Sequence, residues 1–158
     1  MLFKKANISD IDTLVSTRLE VLRAANLLEP SVDLSHLAKS SKEYYQESLS
    51  NGNHTAFLVY DADKVVATGA ISYYQVMTTY HNPSGKKAYI MNMYVAPEYR
   101  RRGIASNLLD LLIADSRERG IDFITLEATQ MGRKLYENYG FCQMNDEMQF
   151  IIQNKARE

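Results

Sequence analysis

Ala88-Tyr89-Ile90-Met91-Asn92-Met93-Tyr94-Val95, then Ala96-Pro97-Glu98-Tyr99-Arg100-Arg101-Arg102, then Gly103-Ile104-Ala105-Ser106: the reading of this stretch decides the fold. Its first segment is apolar on both faces of an extended chain except at Asn92, the pattern of a central strand covered on both sides. Pro97 ends the strand, because proline offers no ladder hydrogen bond. Ile104, Leu108, Leu111 and Leu112 then recur at helical spacing in a segment that runs to Ser116. The first turn of that helix holds Gly103, Ala105 and Ser106, all small. Small residues let a ligand approach the N–H groups that a helix start leaves unbonded, and the helix dipole favours an anion there, such as a phosphate. Three arginines precede the site directly; they also suit a plain solvated turn. The pattern is not the phosphate loop, which needs Gly-Lys-Ser/Thr, nor the three-glycine dinucleotide fingerprint.

These residues carry a resemblance. Arg100-Arg101-Arg102-Gly103-Ile104-Ala105 resembles the Arg/Gln-x-x-Gly-x-Gly/Ala signature of the GNAT superfamily of acetyl-CoA-dependent N-acetyltransferases, with Ala105 where many members have glycine. Met93 to Tyr99 is similar to the strand that leads into it, and Leu135-Tyr136-Glu137-Asn138-Tyr139-Gly140-Phe141 resembles the second recurring block.

The composition sets bounds. The 158 residues suit one domain, 1–158, with a real core; 46% are hydrophobic and 23% charged, an ordinary globular balance. A net charge of −1 gives no reason to expect a nucleic-acid partner. No tract has the apolar length of a membrane helix, and the N-terminus lacks a signal-peptide pattern, so a cytoplasmic location without membrane association is expected. The single cysteine, Cys142, reads as a small core residue. His36, His54 and His81 lack metal-ligand spacing, so no metal is expected.

In chain order, Leu2 to Ala6 reads as a strand. Ser9 reads as the cap of a helix with Ile11, Leu14, Val15, Leu19 and Leu22 on its buried stripe. Arg18 and Glu20 lie off that stripe, exposed to solvent or, as the resemblance implies, beside a substrate cleft. Leu27 to Lys39 reads as mostly loop, and Ser40 with Glu43 as a capping box opening a helix that Gly52 stops. Thr55 to Tyr60 and Val65 to about Tyr80 pair antiparallel across a short turn. Tyr73 and Tyr80 lie in the aromatic half of the second strand, as sheet residues or as walls of an amine pocket. Ile121 to Glu127 reads as a strand parallel to the opening one, Thr129 as the cap of a short helix, and Phe141 to Ile152 as a final hairpin. The order predicts an α/β fold: a seven-stranded mixed sheet with helices on both faces. The resemblance implies the same sheet, with its fourth and fifth strands splayed to admit the pantetheine arm of the cofactor.

It also implies a chemistry. Backbone groups of Met93 and Val95 would pair with pantetheine, with the Met93 N–H polarising the acetyl carbonyl. Backbone N–H groups from Arg101 to Ser106, aided by the side chains of Arg100, Arg101 and Arg102, would hold the pyrophosphate of acetyl-CoA. Tyr136 matches the tyrosine that acts in many members as general acid toward the leaving thiolate. Glu127, ending the fifth strand, is the first candidate for a base or water-orienting carboxylate, and helix-start electrostatics is its other reading. Asn92 can hydrogen-bond and orient a substrate. The expected reaction is direct acetyl transfer to a primary amine of a small molecule. Protein or peptide acetylation, a non-catalytic acyl-CoA-binding or sensing module, and a general nucleotide-binding domain are the alternatives. Members are often dimers, so a homodimer is the oligomer that the resemblance allows.

Overall fold

The computed structural model describes residues 1–152. The chain forms two compact units, one of residues 1–127 and one from Ala128 onward. The first holds β1 (Leu2–Lys5), α1 (Ile11–Asn26), α2 (Ser35–Ser50), β2 (His54–Asp61), β3 (Lys64–Gln75), β4 (Lys86–Val95), α3 (Ile104–Glu118) and β5 (Ile124–Leu126); the second holds α4 (Arg133–Tyr139).

The strands form one sheet in the order β1-β2-β3-β4-β5. The first three pairings are antiparallel and β4–β5 is parallel, as the helical crossover α3 requires. The fold is therefore the expected mixed α/β class, with five strands among the described residues rather than seven. The predicted hairpin from Phe141 to Ile152 forms no strand; Met148, Phe150, Ile151 and Ile152 are exposed. Alternation alone cannot show whether an edge accepts a hairpin, and an unpaired hairpin has little stability of its own in water.

The two faces of the sheet are covered differently. Ala56, Leu58 and Ala70 pack with Ile11 and Leu14 of α1 and Tyr45 of α2. Leu108, Leu109 and Leu112 of α3, all fully buried, occupy the opposite side, where Leu108 and Leu112 flank Gly69.

Local boundaries moved for identifiable reasons. A 3-10 turn over Ile8–Asp10 precedes α1, and its cap is Asn7 rather than Ser9: the Asn7 side chain accepts from the Ser9 N–H, and Asp10 accepts from the Asn7 N–H. α2 starts at Ser35, where Asp33 accepts from the Ser35 N–H, so Ser40 lies inside the helix with its hydroxyl donating to the His36 carbonyl. β3 stops at Gln75 because the next segment closes on itself, Val76 N–H to Gly85 carbonyl and Thr79 N–H to Asn82 carbonyl. Tyr80 consequently stands in a loop.

Candidate acetyl-transfer site

The site begins with an irregularity in β4. Met91 pairs with Ala70 and Tyr94 with Thr68, so Asn92 and Met93 together oppose the single residue Gly69. That is a β-bulge, with Asn92 in the left-handed region at φ 55, which asparagine tolerates better than most side chains. The consecutive residues Met91 and Asn92 now serve the same face: the Ser72 hydroxyl reaches the Met91 sulfur, and Arg18 Nη1 of α1 donates to Asn92 Oδ1 at 3.0 Å. Met93 turns to the α3 side. A Cβ at position 69 would lie 2.6 Å from its sulfur, so glycine opposite the bulge gives Met93 its room.

Beyond the bulge, β4 loses its neighbour. The β4–β5 ladder is short: Ala88 with Ile124, Tyr89 with Thr125, Ile90 with Leu126. Among the described residues, Met91 to Val95 has no ladder partner on that side. The unpaired edge contains Met93 and Val95 and can accept an extended amide-bearing ligand in the manner of an added strand.

The chain then turns into α3. Arg101 and Gly103 are left-handed, at φ 63 and 78. The Asn107 N–H is bonded to the Gly103 carbonyl at 3.0 Å, so the N–H groups of Ile104, Ala105 and Ser106 are those the helix start leaves for an anion. A Cβ on Gly103 would meet nothing within 4 Å, so the approach to these groups is open. The arginines brace the turn. Arg100 Nε donates to the Val95 carbonyl at 3.0 Å, and Arg102 donates to the Glu98 carbonyl at 2.7 Å and lies over the Tyr99 ring. Arg101, like its neighbours, is exposed. An open helix start behind an unpaired strand edge fits a ligand that joins a pyrophosphate to an amide-rich arm, as CoA does.

On the α1–α2 side lies a cavity of about 360 Å³. α1 contributes Arg18 and Leu22, α2 contributes Leu37, Ser40, Ser41, Tyr44 and Tyr45, β2 contributes His54, and β4 contributes Met91 and Asn92. The Tyr44 hydroxyl, His54 Nδ1 and the Ser72 hydroxyl form a closed triangle of contacts at 2.7 to 3.0 Å. His54 Nε2 is buried without a partner among the described residues. Burial lowers the His54 pKa to about 4 and raises that of Tyr45 to about 12, so both rings are neutral at pH 7.

Asn92 is thus placed in the cavity wall. Tyr73 is not: it is 7% exposed on the opposite face, where its hydroxyl donates to Asp115 Oδ2. Burial first, then that hydrogen bond, raises its pKa. Tyr80 is 93% exposed and stacks edge-on with His81. Glu127 is exposed just past β5 and does not line the cavity. Alternation shows which residues share a face but not which face holds a cavity, and neither tyrosine lines this one. Tyr44 and His54 carried a usable signal: His54 shares its face of β2 with Ala56 and Leu58, an unusual place for an imidazole.

In the second unit, the Thr129 hydroxyl accepts from the Gly132 N–H at 3.2 Å, next to the start of α4. Tyr136 is buried edge-on to Phe141, and a Cβ on Gly132 would lie 3.2 Å from its ring. Burial raises the Tyr136 pKa, so the phenol keeps its proton at neutral pH. Cys142 is exposed rather than a core residue.

Comparisons with known proteins agree with this geometry. Residues 21–141 match the model of the acetyltransferase (GNAT) family. A crystal structure of a predicted acetyltransferase with acetyl-CoA from Clostridium acetobutylicum is 33% identical, covers 95% of each chain and superposes with a TM-score of 0.86. A GCN5-related N-acetyltransferase from Ralstonia eutropha is 25% identical, over 95% of this chain and 97% of that one, with a TM-score of 0.79. An aminoglycoside acetyltransferase from an uncultured soil metagenomic sample, 16% identical over 98% of this chain and 96% of its own with a TM-score of 0.70, shares the fold. A search of curated proteins gives no match. The bulged, half-unpaired β4, the open start of α3 and these matches together place the chain in the acetyltransferase (GNAT) family.

Proposed function

We propose that this protein is an N-acetyltransferase that moves the acetyl group of acetyl-CoA to a primary amine of a small molecule, by direct attack with both substrates bound. The observation that carries this reading is the unpaired edge of β4 from Met91 to Val95, continuous in sequence with the open N-terminus of α3. Bound along them, acetyl-CoA supplies an activated acetyl thioester. The Met93 and Val95 backbone holds its amide-bearing arm, and Ile104, Ala105 and Ser106 offer N–H groups to its phosphates. The Met93 N–H donates to the acetyl oxygen as negative charge develops there.

The cavity beside Asn92 is the proposed acceptor pocket. At about 360 Å³ it lies near the small end of small-molecule sites, which favours a metabolite over an extended peptide. An amine attacks only when neutral, and a free amine with a pKa of about 8 to 10 is mostly protonated at pH 7. Partial desolvation and the Arg18 charge both lower the pKa of an ammonium group held there. Glu127 remains the proposed acceptor of the departing proton through water. The family resemblance assigns the proton for the leaving thiolate to Tyr136, whose raised pKa keeps it in the donor form.

The test is thiol release from acetyl-CoA over a panel of amino acids, polyamines, aminoglycosides and short peptides. Amine-dependent release is expected, with small amines ahead of peptides. Release that ignores the amine, or CoA binding without release, would contradict the reading; the latter would favour a binding or sensing module.

A further inference from the structure

We propose that the acceptor carries an anionic group a few bonds from its amine, a carboxylate in first place, and that Arg18 is the residue that binds it. This rests on the acetyl-transfer reading above and names the substrate class of that same pocket.

Arg18 is half-buried in the cavity wall. It donates to a neutral acceptor, Asn92 Oδ1, at 3.0 Å. Among the described residues no carboxylate lies within ion-pair distance of it. Arg119, packed against the opposite face of the sheet, is paired with Asp115 at 2.9 Å and also donates to the Gly52 carbonyl. A partly desolvated guanidinium without a counter-charge is costly, and a ligand anion that pairs with it recovers that cost. Guanidinium has five donors in a planar fork, so the bond to Asn92 leaves donors that match a carboxylate or phosphate edge.

The rest of the cavity agrees. No acidic side chain lines it, so a polyamine or aminoglycoside would bring further positive charge to Arg18 with nothing to offset it. Leu22, Leu37 and Met91 give it an apolar wall, which suits an apolar substituent on the acceptor. Asn92, which holds the guanidinium, adjoins Met93 in the chain, the residue proposed to hold the acetyl carbonyl. The anion site and the reacting carbon are therefore near neighbours, as an α-amino carboxylate requires.

The experiment compares matched pairs with purified full-length protein: leucine, methionine and phenylalanine against their amides, and ethanolamine phosphate against ethanolamine. In the native protein the anionic member of the preferred pair should exceed its neutral partner in kcat/KM by about 30-fold or more. The amino acid pairs and the phosphate pair separate a carboxylate from a phosphate site. In Arg18→Gln that ratio should collapse toward one, chiefly through KM, and Arg18→Lys should restore part of it. Because the ratio is taken within each variant, a general loss of folded protein would not mimic the result. Neutral amides or polyamines acetylated as well as the carboxylates, or Arg18→Gln lowering both members of a pair equally, would overturn the proposal. If no amine of any charge is acetylated while acetyl-CoA binds, the transfer reading fails and this one with it.

Discussion

At Gly103 the backbone is left-handed, φ 78, and the space around an added Cβ is empty. Substitution there therefore acts on the ligand and on local backbone strain, not on packing. Gly103→Ala should cost about 1 kcal/mol of strain and leave CoA affinity within a few-fold of native. Gly103→Glu should lower that affinity by at least about 10-fold, because a carboxylate beside phosphates repels them; calorimetric titration with CoA distinguishes the two. Tyr136→Phe should lower kcat by about 100-fold or more with little change in CoA affinity, measured by steady-state kinetics and the same titration. Unchanged turnover would place the acid elsewhere. His54 gives a separate handle through pH. Its folded pKa of about 4 lies below the ordinary value of 6.5, so the unfolded chain binds more protons between them. The stability due to the neutral ring is fully present above about pH 6.5 and is lost as pH falls toward about 4, by about 3 kcal/mol in all. His54→Gln should flatten that slope in denaturant titrations run at pH 5 and pH 7.

Among the elements, α3 is tied to three strands by one carboxylate. Asp115 accepts from Lys5 of β1, Thr55 of β2, Tyr73 of β3 and Arg119. Burial alone would raise its pKa, but these donors hold it at about 2. The sign is that of a depressed acid: the stabilisation is present above about pH 4 and is lost as pH falls through about 2. Asp115→Asn should cost about 3 kcal/mol, a fall in Tm of roughly 6 to 12 °C, readable by calorimetry; a change under 2 °C would mean that the donors find other partners. This cluster also shows why the surroundings of Tyr73 were not legible in the sequence. Alternation along β3 is legible, but the partner of a tyrosine hydroxyl more than forty positions away is not. The bulge at Asn92 was invisible for a similar reason, since it exists only in the register between β3 and β4. By contrast the strand, the proline, the small residues and the apolar spacing of α3 are local signals, and the structure keeps all of them.

For the whole molecule, local pattern was enough to order the main strands and helices and to reach the right class. It overcounted the strands because the segment after Phe141, read as a hairpin, forms none among the described residues. It also marked the turn from Arg100 to Ser106 proposed to face the phosphates, where the proposed function depends on consecutive backbone groups. It was weaker on the proposed acceptor pocket, which gathers Arg18, Tyr44, His54 and Asn92 from four elements. A pocket assembled from distant positions leaves no contiguous signature, and here only Arg18 and Asn92 stood out beforehand. The central claim concerns the reaction itself. Its most direct test is mass spectrometry of small amines incubated with the protein and acetyl-CoA, alongside thiol release. The account predicts an N-acetylated amine formed in equal amount to the thiol and absent without protein. Thiol release with no acetylated amine, or bound CoA with neither product, would contradict it.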